Sequence, residues 1–119
     1  MLPYRRLEVW QKAHQAVLMT YQLTHSFPAA ERYGLTAQLR RAAVSVACNI
    51  VEGSKRATNR DYAHFINVAE GSAAEAAYLF QVAGDLGLLS DVQVREAMEA
   101  FATIERKLYR LRRKLLADN

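Results

Sequence analysis

One stretch decides the fold: Gly34–Gly53, GLTAQLRRAAVSVACNIVEG. Leu35, Leu39, Ala42, Ala43, Val46 and Ile50 recur at helical spacing, so they line one apolar face. Gln38, Arg41, Ser45, Asn49 and Glu52 recur at the same spacing and line a second, polar face. Gly53 is expected to close the helix as a left-handed cap. The small residues Ala42, Ala43, Ser45 and Ala47 let neighbouring helices approach closely. That approach draws part of the polar stripe inward, where each polar group needs a partner.

Working outward, the same period recurs three more times. A helix from about Leu7 to Thr24 carries Val9, Trp10, Ala13, Val17, Met19, Tyr21 and Leu23 on a broad apolar side. Phe27-Pro28 ends it, because the residue before a proline avoids the helical region. Ala29–Tyr33 adds at most a short turn before Gly34. After Gly53, Lys55–Ala57 form a link, and Thr58-Asn59-Arg60-Asp61 reads as a capping box with Asp61 reaching back to Thr58. The third helix runs to about Leu86, with Tyr62, Phe65, Ile66, Ala69, Ser72, Ala76, Leu79, Phe80, Ala83 and Leu86 inward and Gly87 as its cap. Ser90-Asp91-Val92-Gln93 opens a fourth helix in the same way. Its Ala97, Phe101, Ile104, Leu108, Leu111 and Leu115 alternate spacings of four and three, a coiled-coil seam. The chain of 119 residues suits one domain. Four helices on short links predict an all-α, up-down-up-down four-helix bundle spanning residues 1–119.

The motifs also carry a resemblance. QLRRAAVSVACNIVEG (Gln38–Gly53), AEGSAAEA (Ala69–Ala76), LEVWQKA (Leu7–Ala13) and FPAAERYGL (Phe27–Leu35) together resemble the small four-helix-bundle proteins encoded in intervening sequences of bacterial 23S rRNA genes. They are more distantly similar to the accessory proteins of diversity-generating retroelements. Two departures are mild: Ala47-Cys48 stands where the family often has Pro-Ala, and Val51 where Ala is usual. The resemblance implies a ring of identical subunits, a homopentamer with a central channel. It names no chemistry, and the alternative it leaves open is a passenger protein of the encoding element with no host role.

Charge is the other signal. The formal net charge is +4. In an up-down-up-down bundle one end collects the N-terminus, the link between helices two and three, and the end of helix four. Arg5, Arg6, Lys55, Arg56, Arg60, Arg106, Lys107, Arg110, Arg112, Arg113 and Lys114 therefore gather there. Arg106, Lys107, Arg110, Arg113 and Lys114 span an arc of about 120° at 100° per residue, across the helix from the Ile104–Leu108–Leu111–Leu115 face. Two readings meet here. The cations are solvated helix-end charges favoured by the dipole, or Arg56, Arg60, Arg106, Lys107, Arg110, Arg113 and Lys114 form an electrostatic footprint for RNA or DNA. No base-reading motif is present, so binding would follow charge and shape, with Tyr62 and Tyr109 as candidate stacking residues and packing as their other reading.

Catalytic constellations are missing. A di-iron bundle needs two Glu-x-x-His motifs and two further glutamates, and this chain offers only Asp61-x-x-His64. Cys48 reads as a packed small residue, and as a lone cysteine it suits a reducing compartment. No phosphate-binding Gly-rich loop appears. The expectation is a cytoplasmic protein that is not an enzyme, with no metal and no cofactor, and no membrane association. Arg41, Asn49, Glu52, Ser72 and Glu75 are expected to form a structural polar network between helices two and three, with a ligand or partner pocket as the other reading. Glu70-Gly71 reads as a close helix crossing, and Trp10 as core or as an oligomer contact. The partners expected are further copies of the chain, with a nucleic acid or a polymerase-like protein.

Overall fold

The computed structural model describes residues 3–118, and the four periodic stretches are four α-helices: α1 (Glu8–Thr24), α2 (Leu35–Ser54), α3 (Asn59–Asp85) and α4 (Asp91–Ala117). Single turns of 3-10 helix at Tyr4–Arg6 and Ala29–Glu31 precede α1 and α2. Each helix packs on its sequence neighbours, and α1 closes the ring against α4, giving a bundle 46 × 23 × 20 Å. The core is a column of Leu39, Val46, Ile50, Ile66, Phe80, Phe101, Ile104, Leu108 and Leu115, all essentially inaccessible.

Local chemistry fixes where each helix starts and stops. Ser90 Oγ accepts from the Gln93 amide at 3.2 Å while Gln93 Oε1 accepts from the Ser90 amide at 2.9 Å, so both halves of the capping box close. At α3 only half of the expected box is present. Thr58 Oγ1 accepts from the Asp61 amide at 3.1 Å, and Asp61 makes no return bond among the described residues. The return bond of a capping box is made by the longer Gln or Glu side chain, and Asp is one methylene shorter. Gly87 has φ +76° and ends α3 in a Schellman motif, with Leu88 N–H donating to Ala83 O and Gly87 N–H to Gly84 O, each at 2.9 Å.

Several sequence expectations are corrected by packing. Gly53 does not cap α2, which runs one residue further to Ser54. Its lack of a side chain serves α3 instead, because a Cβ there would lie 2.9 Å from both Phe65 Cβ and Tyr62 Cδ1. Gly71, expected at a close crossing, is exposed with nothing within 4 Å of where a Cβ would stand. Gly71→Ala is therefore expected to raise stability by about 0.5–1 kcal/mol through helix propensity. Gly53→Ala should cost about 1–3 kcal/mol through overpacking. Urea denaturation of the two variants measures both signs.

Leu86, expected inward, is 60% exposed because α3 has already ended at Asp85. On α1 the buried side is narrower than the apolar letters suggest. Val9, Ala13, Ala16, Thr20 and Thr24 are buried, while Tyr21 faces solvent. The two threonines are satisfied locally: Thr20 Oγ1 donates to Ala16 O at 2.7 Å and Thr24 Oγ1 to Thr20 O at 2.8 Å. Arg40 Nε adds a bond to Thr24 Oγ1 at 2.9 Å, and its guanidinium lies 4.4 Å from the Tyr21 ring centroid.

Tyr62 is 3% exposed, which removes it as a stacking platform for bases. Its hydroxyl has no hydrogen-bond partner among the described residues, and burial pushes the phenol pKa up. A raised folded-state pKa means stability that is present below the unfolded phenol value and lost as pH climbs past it. Tyr62→Phe is expected to be neutral or stabilising by up to about 1 kcal/mol at neutral pH, with its advantage widening above roughly pH 10. Parallel melts at pH 7 and 10.5 check this.

Candidate functional site

The bundle topology brings the N-terminal 3-10 turn, the α2–α3 link and the end of α4 to one end. Of the seven cations expected to meet phosphate, three already have carboxylates. Arg56 lies 3.7 Å from Glu52 and stands over the Phe65 ring. Arg106 pairs with Glu99 at 3.1 Å. Lys107 reaches Glu8 of α1 at 2.6 Å, and its hydrogen bond and charge hold the Glu8 carboxyl below the usual range. Among the described residues, Arg60, Arg110, Arg113 and Lys114 have no carboxylate within 4.0 Å; Arg113 donates to the Tyr109 hydroxyl at 2.8 Å.

A groove between the outer faces of α3 and α4 organises these charges. Its hollow nearest the basic end is lined by Arg60, Asp61, Ala63, His64, Asn67, Arg112 and Leu116. A second hollow is lined by Glu70, Ala102, Glu105, Arg106, Tyr109 and Arg110. Arg112 and Glu70, one from each hollow, bind each other in a two-pronged contact, with Nε to Oε2 at 2.5 Å and Nη2 to Oε1 at 3.3 Å. This hydrogen bond pushes the Arg112 pKa further up. Arg112 is thus a structural cation on the groove floor. His64 and Asn67 were missed from sequence, although Arg60, His64 and Asn67 follow one another at spacings of four and three on α3.

The expected polar network forms only in part. Ser45 and Ser72 hydroxyls meet at 2.9 Å across α2 and α3, and Asn49 Nδ2 donates to Ser45 O at 2.8 Å and to Ser45 Oγ at 3.0 Å. Ser45 is thus the link that joins Asn49 to Ser72. Glu52 turns to Arg56 instead. Arg41 and Glu75 border a polar hollow with Gln38, Ala42, Ser45 and Ser72, and neither forms an ion pair with another described residue.

Cys48, expected to be packed, is exposed because it falls on the solvent side of α2, away from Val46 and Ile50. Trp10 is half-buried, edge-on to Tyr4 at 5.1 Å and stacked on His14 at 5.2 Å. Among the described residues no three His, Cys, Asp or Glu side chains converge as a metal site requires, and no helix is long and apolar enough to cross a membrane. A cleft of about 730 Å³ separates α1 from α4, with Ala16, Met19, Val92, Ala100 and Ile104 in its lining and Lys12, Arg95, Glu96 and Glu99 beside them.

No curated protein matches the chain. A solved structure does: a protein of unknown function from the S23 ribosomal protein family of Bacteroides thetaiotaomicron. It superposes with a TM-score of 0.79 over 88% of this chain and 95% of that one, at 18% sequence identity, and so speaks to the fold alone. The family described as 23S rRNA-intervening sequence protein matches residues 5–110, which takes in all of α1, α2 and α3 and most of α4. The chain belongs to the 23S rRNA-intervening sequence protein family.

Proposed function

We propose that this protein is a non-enzymatic, nucleic-acid-associated accessory or scaffold protein that works as a homo-oligomer. The observation that carries the reading is the set of cations without carboxylate partners among the described residues: Arg60 and Arg110 line the α3–α4 groove, Arg113 donates to its Tyr109, and Lys114 lies on the same last turns of α4. A cation already paired within the fold gains less from a phosphate than one without a partner, so these residues supply the counterion release that drives binding. The five-membered ring implied by the resemblance would bring several such groups together and raise avidity without a new contact. Exposed Leu18, Val68, Tyr78 and Leu86 offer apolar surface for contacts between copies.

The apolar lining of the α1–α4 cleft favours a second reading, in which a partner protein docks a helix there. Salt separates the two. Size-exclusion chromatography with light scattering, with and without total RNA at low and high salt, is expected to show an oligomer that carries RNA only at low salt. Arg110→Glu with Arg113→Glu should abolish that pickup while leaving particle size unchanged. An oligomer that ignores RNA at every salt concentration overturns the nucleic-acid reading.

A further inference from the structure

We propose that the α3–α4 groove takes a single strand, with Tyr109 as the surface on which a base stacks; this rests on the nucleic-acid reading above. Tyr109 is 45% exposed and lines the groove. The Arg112 and Arg113 guanidinium carbons lie 5.3 and 5.7 Å from its ring centroid. Of the other exposed tyrosines, Tyr21 has Arg40 over its ring but lies on α1 outside both hollows, Tyr33 precedes α2, and Tyr78 lies on the far half of α3. An open aromatic ring set among arginines is what a strand with unpaired bases needs, since every base has a face to stack and a phosphate to neutralise.

A duplex hides those faces inside its own stack. The groove also matches a strand in composition. Arg60 stands at one extremity, Arg110 adjoins the ring on that same side, and Arg106, paired with Glu99, stands on the other side. The α3 wall from Arg60 to Glu70 spans about 15 Å at 1.5 Å per residue, enough for a few nucleotides and too short to track a long duplex. Three carboxylates line the hollows: Glu70 is neutralised by Arg112, while Asp61 shares its hollow with Arg60, and Glu105 shares its own with Arg106 and Arg110. Single-stranded RNA and DNA share the required chemistry, and the 2′-hydroxyl alone distinguishes them.

The test is fluorescence anisotropy of the full chain with a labelled uridine 12-mer, a thymidine 12-mer and a 12-base-pair duplex, at low and high salt. Tighter binding of the single strands than of the duplex is expected. Tyr109→Ala should weaken single-strand binding roughly 5- to 150-fold, the equivalent of about 1–3 kcal/mol for one stacked base. Tyr109→Phe should retain it, and duplex binding should be unmoved by either variant. Helical content by circular dichroism confirms that the exposed substitution leaves the fold intact. Salt-dependent binding in which the duplex equals the single strands, or in which Tyr109→Ala changes nothing, overturns this inference alone. Failure of the wild-type chain to bind any of the three probes overturns it together with the reading it rests on.

Discussion

Phe101→Ala is expected to cost about 3–5 kcal/mol of stability, the top of the range for a single truncation and shared with Phe80→Ala. Phe80 and Phe101 are the two largest fully buried side chains, at 0% and 1% exposure. Their rings sit 6.0 Å apart at an interplanar angle of 28°, one from α3 and one from α4. The residues one turn either side of Phe80 on the same face of α3, Ala76 and Ala83, are small and buried. Such neighbours have no spare atoms with which to fill a hole, so the cavity term stays near its upper range. A fall in Tm of at least roughly 12 °C follows for a chain of this size. Phe101→Leu keeps most of the volume and should cost less than about 1.5 kcal/mol. The double variant with Phe80→Ala should lose less than the sum of the singles, since the two rings share one contact. These melts are to be compared at one protein concentration, because self-association shifts the midpoint by mass action.

Arg112→Ala comes second, with an expected loss of about 2–3 kcal/mol. The Arg112 and Glu70 side chains are 24% and 14% exposed, so removing the guanidinium strands a carboxylate with little water to replace it. This is less than the 3–5 kcal/mol typical of a fully buried pair, because the groove admits some solvent. Arg112→Met together with Glu70→Leu should recover most of the loss, since it removes the need for charge compensation as well as the pair. If both variants melt like the wild-type chain, the ion pair has no role in stability. The hydrogen bond to Glu70 pushes the Arg112 pKa further up, and an arginine is already charged near neutrality. The pair's cationic half therefore adds no pH dependence near neutrality, in contrast to Tyr62, which acts in the alkaline range.

How much of this was legible before the structure depends on the distance over which a residue's role is set. The four helices and the Ser90 box are written in spacings of a few residues, and those survive intact. Gly53 and Gly71 show where local reading stops. The letter is the same whether glycine opens a turn, admits a neighbouring helix or does nothing, and only the facing element decides. Cys48 shows the same limit, since its exposure follows from which side of α2 meets the rest of the bundle.

The basic end divides along that line as well. The Glu52–Arg56 pair is an i, i+4 contact visible in the sequence. Lys107–Glu8 and Arg112–Glu70 join different helices, so the sequence could not tell structural cations from unpartnered ones. Arg112 was counted in the basic end but lies outside the 120° arc, and its partner on α3 explains why it points elsewhere. Within the polar stripe, Ser45 was seen but not as the link, because its role needs Ser72 opposite it.

The circular order of the helices has a consequence in time. Each interface but one joins helices separated by a short link: His25–Gly34, Lys55–Thr58 and Leu86–Ser90. Those contacts close small loops and can form early and independently. The contact between α1 and α4 spans most of the chain and is the single topologically distant closure. That sequence-distant seam is also the one that holds the apolar cleft. A nascent chain still lacking α4 would leave that side of α1 uncovered, so synthesis of the last helix completes both the ring and the basic end.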